Sequence, residues 1–420
     1  SDMGKRARDE KKAAARGEEG GGAKPERKAQ KLGSWHPKAT LVKGAQVDKD
    51  APISLCLFYQ YVVPLWSEAR REAAISFVTT KGEDLNLGGR IRVAREGFNA
   101  TVSGTAEGVR AFTEALRGFD DHFKQTDFKY IDGLNADKAF KDLKIIPVAE
   151  LVFYGLQSEK MLTLGTGGEH LTPAEYHEKM KQSDTVIIDV RNSYEAAIGR
   201  FQKQEKEGGA EWVDPKMRKS TDFMPWLSKE ETRKQLEGKQ VLMYCTGGVR
   251  CERASILVKN QLGDAVKGVY QLQGGIEKYL QEFPDGGYWA GKNKVFDKRE
   301  SFGVGDPNGV GGVIKSEGKK GKNKKVDPDV LGQCCVCDAP WERYVGKKKC
   351  FACGAPVLMC EKCLQLKLDT GTKEQQLSVR CPLCFEDGRT EAATEAELIE
   401  NGMLAKGTEK AGAGTGTVLK

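Results

Sequence analysis

The pattern of apolar and polar positions divides the chain into blocks, and the first block runs from residue 51 to residue 150. The apolar, β-rich run Ile53–Tyr61 predicts a strand, and residues 66–78 repeat apolar positions at helical spacing. Two strands, a helix and a last strand are predicted next, at residues 90–94, 99–104, 106–117 and 127–131. The order β-α-β-β-α-β predicts a small ferredoxin-like (acylphosphatase-like) α+β domain.

A second block, residues 171–300, alternates helical patterns with short apolar strands. Thr172, Pro173 and Glu175 combine an N-cap, a proline at the first helical position and a capping-box glutamate, so a helix should begin here. We predict three strands, an amphipathic helix and a polar insertion ending at residue 220, with the strands at 186–190, 241–244 and 269–272 and the helix at 250–261. This alternation predicts an α/β domain whose parallel sheet is covered by helices on both faces.

The composition changes outside these blocks. Residues 1–50 are basic and contain little that could pack, residues 301–328 are rich in glycine, lysine and aspartate, and residues 389–420 end the chain. We expect a disordered tail, a linker and a flexible tail, respectively. The net charge is +7, and basic runs near the start and between Lys315 and Lys325 would attract polyanions. The alternative is that these runs are solvated tails that keep the protein soluble.

The apolar runs are short. Residues 55–65 are interrupted by Gln60 and Pro64, and no stretch has the length that spans a bilayer. The start of the sequence has no apolar segment of the secretory type. We therefore expect no membrane partner and a cytoplasmic location.

The sequence around Cys245 predicts a reactive thiol. An apolar strand leads into Cys245, and Thr246, Gly247, Gly248, Val249 and Arg250 then form a glycine-rich turn into a helix. In such a turn the backbone N–H groups can converge on the sulfur, and the helix N-terminus adds partial positive charge. Both effects favour the thiolate and lower the pKa of a cysteine from its usual ~8.5. The alternative is a buried structural cysteine at the end of a strand.

Nine of the twelve cysteines lie between residues 334 and 384, and eight of them form four CxxC pairs. The pairs are Cys334 and Cys337, Cys350 and Cys353, Cys360 and Cys363, and Cys381 and Cys384. Two thiolates at this spacing can bind one tetrahedral ion, so residues 329–388 should hold two structural zinc ions, each with four cysteine ligands. The short gap between the second and third pairs suits an interleaved arrangement, although a sequential one is possible. A set of redox thiols is the alternative.

Three segments of the second block resemble the rhodanese family. Residues 187–191, with Asp189, resemble its first block; residues 245–250 resemble its six-residue active loop; and residues 270–276 resemble its closing block. Six residues from cysteine to arginine is similar to the loop of sulfurtransferases, whereas the related phosphatases use a longer loop. The chain departs from the pattern at Arg200, where rhodaneses usually have a histidine.

The flanking sequence resembles the bacterial tRNA uridine hydroxylases. The resemblance lies in residues 93–101, 140–152, 245–255 and 291–299 and in the cysteine-rich tail, and it runs from about residue 53 to residue 365. The long basic extensions and the last CxxC pair are more similar to eukaryotic rhodanese relatives. Members of the hydroxylase family use the rhodanese cysteine for oxygen-dependent hydroxylation of C5 of the wobble uridine in tRNA.

The resemblance implies an oxidoreductase that modifies tRNA, with molecular oxygen as a possible co-substrate. Cys245 would be the essential thiol, and Arg250 would support its loop. Cys251 and Asp189 are candidate assisting residues, although Cys251 can also be read as a residue that only packs its helix.

The same resemblance implies RNA contacts in the first block. Arg95, Glu96 and Asn99 lie at a predicted strand–turn–strand junction, where they could recognise RNA backbone and base edges. The alternative is a surface turn in which Arg95 and Glu96 pair with each other.

Three functions are compatible with the sequence. The first is a tRNA uridine hydroxylase, and the second is a sulfurtransferase or persulfide carrier with a small-molecule sulfur donor. The third is a non-enzymatic adaptor whose zinc module binds a protein of unknown identity. The first two need Cys245, and the adaptor does not.

Overall fold

The computed structural model describes residues 39–43, 48–156, 166–202, 209–304, 330–344, 348–369 and 379–389. Most of the predicted tails and linker, including the lysine-rich run, lie outside the described residues. Two predicted boundaries are corrected, because Thr40–Lys43 and Ser301–Gly303 are strands rather than tail or linker. Each forms antiparallel pairs with a neighbouring strand. None of the described helices is both long and apolar enough to cross a membrane.

The N-terminal domain is a six-stranded sheet packed against two helices. Its strands are β1 (Thr40–Lys43), β2 (Ile53–Tyr61), β3 (Gly88–Ala94), β4 (Gly97–Gly104), β5 (Lys129–Leu134) and β6 (Asp142–Pro147). Its helices are α1 (Glu68–Asp84) and α2 (Ala106–Phe119). The strand order is β1-β6-β3-β4-β2-β5. The predicted β-α-β-β-α-β order is found, and β6 extends the sheet because it pairs parallel to β3 and antiparallel to β1.

The two faces of β2 serve different purposes. Cys56 and Phe58 lie in the core formed with both helices. Because side chains alternate along a strand, Tyr59 and Tyr61 lie on the opposite face of the sheet from Phe58. This outer face of the sheet contacts the second domain, as described below.

The described part of the second domain contains eight strands and six α-helices. The strands are β7 (Glu169–Leu171), β8 (Thr185–Asp189), β9 (Gly199–Phe201), β10 (Glu211–Val213), β11 (Gln240–Tyr244), β12 (Gly268–Leu272), β13 (Trp289–Lys294) and β14 (Ser301–Gly303). The helices are α3 (Pro173–Lys179), α4 (Ser193–Ala196), α5 (Phe223–Leu227), α6 (Glu230–Leu236), α7 (Val249–Leu262) and α8 (Gly275–Glu282). The predicted capping box of Thr172 and Glu175 begins α3.

Five of these strands form the predicted parallel sheet, in the order β10-β8-β11-β12-β7. Val241 and Met243 pack on one face and Leu242 and Tyr244 on the other, so both faces of β11 are buried. The predicted polar insertion is corrected, because it contains β9 and β10. A second sheet, β14-β13-β9, is antiparallel.

The C-terminal module has little regular structure. Its described helices are α9 (Glu361–Asp369) and α10 (Pro382–Glu386), and two isolated bridges join Gln333 to Pro340 and Lys349 to Pro356. Cysteines make up most of its buried cluster. A module with so small an apolar core needs another source of stability.

Candidate active site and metal sites

Cys245 lies in the turn between β11 and α7, at the carboxyl end of the parallel sheet. Gly248 is the N-cap of α7 and has a φ of 102°, which glycine adopts without a steric penalty. Its backbone N–H donates to Cys245 Sγ at 3.1 Å, and the backbone N–H of Arg250 is a second donor. The side chain of Cys245 is fully buried. Two backbone donors therefore converge on the sulfur.

The surroundings of Cys245 favour its thiolate. Burial opposes ionisation, but a hydrogen bond from the Cys251 thiol, the charge of Arg250 and the two backbone amides together lower the pKa of Cys245 to about 5. Burial and the adjacent Cys245 raise the pKa of Cys251 well above its ordinary value. Cys251 therefore lies beside Cys245 as a protonated hydrogen-bond donor.

Arg250 is held by a carboxylate that the sequence analysis did not assign to the site. Its Nη1 and Nη2 donate to the two carboxylate oxygens of Glu195 at 2.6 and 2.9 Å, and Nη2 also donates to Thr246 Oγ1 at 3.0 Å. Glu195 comes from α4 and is fully buried. The sequence feature that could have pointed to Glu195 is its position three residues after Asn192, which forms a capping box. The pair fixes the end of the loop.

Asp189, a candidate assisting residue, is buried within the second domain. Its carboxylate accepts hydrogen bonds from Arg191 Nη2 and from Tyr244 Oη, both at 2.6 Å. All three side chains are fully buried. Asp189 therefore joins β8 to β11 and stabilises the fold below the loop.

The three candidate RNA contacts have different environments. The side chain of Arg95 is 45% exposed, and its Nε donates to Trp66 O at 2.8 Å. Asn99 is half-buried in β4, opposite Tyr59 of β2. Glu96 is buried, where it pairs with Arg253 of α7 and accepts from the backbone N–H of Leu151 at 2.5 Å. Glu96 is therefore corrected: it joins the two domains and is neither an exposed RNA contact nor a surface partner of Arg95.

The outer face of the N-terminal sheet contacts the Cys245 loop, which the sequence analysis did not predict. Lys129 Nζ donates to Gly247 O at 3.0 Å, and Tyr61 Oη is 3.4 Å from Val249 O. Tyr59 Oη donates to Glu252 Oε1 at 2.9 Å. Lys129 and Gly247 are 118 residues apart in sequence, so no local pattern could have linked them.

The eight CxxC cysteines form two clusters, and these have the interleaved arrangement. One contains Cys334, Cys337, Cys360 and Cys363, and the other contains Cys350, Cys353, Cys381 and Cys384. Within each cluster the four sulfur atoms lie within 4.8 Å of one another. Each cluster could hold one metal ion.

The sulfur spacing fits a tetrahedral ion. Cys337 Sγ and Cys360 Sγ are 3.7 Å apart, as are Cys353 Sγ and Cys381 Sγ. Four ligands at ~2.3 Å from a central ion, the usual zinc–sulfur distance, would have edges of about 3.8 Å. The donor set and the geometry therefore agree.

The C-terminal module docks on the second domain beside the active site. Lys216 pairs with Glu386 at 2.7 Å, and Arg218 pairs with Asp387 at 2.5 Å. Tyr344 Oη donates to the backbone oxygen of Tyr194, the residue before Glu195. A cavity of about 300 Å³ lies between the two parts of the chain. The module therefore contacts the element that holds Arg250.

Comparison with known sequences identifies both large domains. Residues 53–151 match the UPF0176 acylphosphatase like domain, and residues 172–282 match the Rhodanese-like domain. The chain is 30% identical to Rhodanese-like domain-containing protein 6 of Arabidopsis thaliana over 82% of its length, but it spans only 55% of that relative.

Two bacterial relatives cover both domains. The chain is 36% identical to the tRNA uridine(34) hydroxylase of Rhodococcus erythropolis over 74% of its own length and 96% of the relative. It is 35% identical to the protein of the same name from Enterococcus faecalis, over 69% of its own length and 79% of the relative. This chain thus contains the acylphosphatase-like domain, the rhodanese domain and nearly the full length of a bacterial member. It belongs to the tRNA uridine(34) hydroxylase family.

Proposed function

We propose that this protein hydroxylates C5 of the wobble uridine of tRNA, with Cys245 as the essential thiol and molecular oxygen as co-substrate. The observation that carries the proposal is the acidic, amide-bound thiol of Cys245, in a loop that the N-terminal domain contacts through Gly247 O. A thiolate held by backbone donors is ready to act as a nucleophile near neutral pH. The names of the bacterial relatives supply the substrate class.

Each loop residue has a role in the proposal. Gly248 and Arg250 donate their amides to the sulfur, and the Arg250 guanidinium stabilises the negative charge. Thr246 fixes that guanidinium through its hydroxyl oxygen. Gly247 and Val249 present their carbonyl oxygens to the N-terminal domain. Cys251 donates its proton in a hydrogen bond and so keeps Cys245 ionised.

We place the tRNA contacts on Arg95 and Asn99, together with the basic segments outside the described residues. Arg95 is exposed enough to reach a phosphate, whereas Glu96 is not. If phosphates are contacted, log affinity should fall by about 0.7–0.9 per unit of log salt for each phosphate neutralised. The protein would then act where tRNA is present, in the cytoplasm.

The two cysteine clusters are proposed to bind zinc. Four thiolates and no other ligand complete a tetrahedral zinc site, which leaves no open position for catalysis. The ions would therefore stabilise the module rather than take part in the reaction.

Mass analysis of tRNA nucleosides tests the proposed reaction. We expect 5-hydroxyuridine at the wobble position in cells that express the protein, and none in cells with Cys245→Ser. Purified Cys245→Ser should still bind tRNA with the wild-type salt dependence, because the thiol is buried beneath the loop. Unchanged nucleosides in cells lacking the protein would overturn the proposal.

Sulfur transfer is the second candidate, because the loop from Cys245 to Arg250 has the six-residue length of sulfurtransferases. The thiolate would take the outer sulfur of thiosulfate, form a persulfide and release sulfite. Intact-mass analysis after treatment with thiosulfate should then show one added sulfur atom on Cys245. Such an adduct, with tRNA binding that is negligible at all salt concentrations, would favour this function over hydroxylation.

A further inference from the structure

Lys129 is the first residue of β5, and its ammonium group lies against the Cys245 loop. Nζ donates to Gly247 O at 3.0 Å, and the side chain is only 8% exposed. A side chain on Gly247 would approach both Lys129 Nζ and Glu277 Oε2 at 3.8 Å, so this cation and this anion flank the loop. The contact is thus enclosed by protein from both domains.

The oxygen that accepts from Lys129 and the amide that donates to Cys245 belong to the same peptide unit. The unit joins Gly247 to Gly248, and Gly248 N lies 3.1 Å from Cys245 Sγ. In a trans peptide the C=O and N–H bonds point in opposite directions. A cation that fixes the oxygen on one side therefore directs the N–H toward the sulfur on the other side.

This peptide unit needs an external contact because glycines flank it. Neither glycine has a Cβ, and Gly248 already has a φ of 102°, so rotation of the peptide plane has a small steric cost. Rotation would turn the carbonyl oxygen toward the thiolate and replace a donor with an acceptor. The ammonium opposes that rotation, and it also polarises the peptide so that the N–H becomes a stronger donor.

We propose that Lys129 is a positioning residue for the reactive thiol: by binding Gly247 O, it holds the Gly247–Gly248 peptide with its N–H on Cys245 Sγ. The inference rests on the proposed role of Cys245. It adds that the N-terminal domain, which does not contain the thiol, determines the reactivity of that thiol. Tyr59 and Tyr61 contact the start of α7 from the same face of the sheet, and the Lys129 ammonium lies 5.8 Å from the centre of the Tyr59 ring.

The test is the pH midpoint for alkylation of Cys245, followed by mass analysis of its peptide in the full-length protein. Lys129→Met should raise this midpoint by about one to two pH units, the size expected when a charged group loses one hydrogen bond. Lys129→Arg should have a midpoint close to that of the wild type, because it keeps a cationic donor. Lys124→Met is the matched control, since Lys124 pairs with Asp121 on an exposed surface of the same domain; its midpoint should equal that of the wild type.

Other titratable groups that face the loop are present in all of these variants, so they cancel in the comparison. They include Arg250 and Cys251 of α7, Tyr59 of β2, Tyr154 of the segment after β6, Glu195 of α4, Glu277 of α8 and Asp127, whose Oδ2 lies 3.9 Å from Lys129 Nζ. If Lys129→Met does not fold, Lys129→Gln removes the charge with a smaller change in packing and is measured in the same way.

A crystal structure of the Lys129→Met variant separates positioning from a simple effect of charge. In this variant we expect that the Gly248 N–H no longer donates to Cys245 Sγ. An unchanged midpoint overturns the proposal, and so does a raised midpoint with the N–H still 3.1 Å from the sulfur. A wild-type midpoint near the ordinary pKa of cysteine would instead contradict the proposed role of Cys245 itself.

Discussion

Cys245 and the eight CxxC cysteines of the C-terminal module differ in what surrounds the sulfur and balances its charge. The Cys245 sulfur receives two amides, a thiol and a nearby guanidinium. In each cysteine cluster four sulfur atoms lie within 4.8 Å of one another, and the proposed metal ion would offset the negative charge of four thiolates. The Cys245 thiolate keeps a free electron pair with which it can react, because only partial charges and a nearby guanidinium stabilise it. A thiolate that binds a metal ion shares its electron pair with that ion.

The largest effect should come from removing a metal ligand. We expect Cys350→Ser to lose one of two zinc ions and to unfold the module, because zinc binding supplies about 10–16 kcal/mol in small zinc domains. Metal analysis of the purified protein checks this. Cys335→Ser is the control, since Cys335 lies outside both clusters and should leave two ions bound. Two ions in Cys350→Ser would show that the cluster is not a zinc site.

The reactive loop should instead depend on a buried ion pair. Glu195→Gln leaves the buried guanidinium of Arg250 without its carboxylate, so we expect the free energy of unfolding to fall by about 3–5 kcal/mol. Chemical denaturation measures the change, and the zinc content should stay at two ions. Glu68→Gln is the control, because the Glu68 carboxylate that pairs with Arg71 is 53% exposed. Equal stability of the two variants would mean that the loop is held by other contacts.

Acid should weaken the Cys245 site in a defined pH range. The pKa of Cys245 is lowered to about 5 in the folded protein, while an unfolded cysteine has a pKa of ~8.5. The ionised thiol therefore contributes its full stabilisation above pH ~8.5, and this contribution is lost as the pH falls toward 5. The free energy of unfolding of the wild type should exceed that of Cys245→Ser by a few kcal/mol more at pH 8.5 than at pH 5. A difference that does not change with pH would show that Cys245 is not ionised.

The sequence was sufficient for features that depend on local order. The capping box at Thr172, both apolar faces of β11 and the cysteine pairs could be predicted, because spacing alone determines them. The strand β6 was not predicted, since it forms only by pairing with β3 and β1.

The contacts between domains could not be predicted in the same way. Glu96 lies in a polar turn and was expected at the surface, yet Arg253, far along the chain, buries it. Lys129 has no distinctive sequence context, and its partner is a backbone oxygen. Such contacts form between two folded domains, so the sequence pattern of either domain contains no signal for them.

The smallest expected effect concerns the surface that joins the two cysteine-bearing regions. Lys216 and Glu386 pair across it with both side chains more than half exposed, so water and salt screen their attraction. A double-mutant cycle of Lys216→Ala and Glu386→Ala should give a coupling of about 0.2–1 kcal/mol that shrinks at high salt. The alkylation midpoint of Cys245 should not change in either variant, because neither residue contacts the loop residues that donate to the sulfur. A coupling above ~2 kcal/mol, or a shifted midpoint, would mean that the C-terminal module influences the reactive thiol through this surface, so that the cysteine clusters and the Cys245 site are linked.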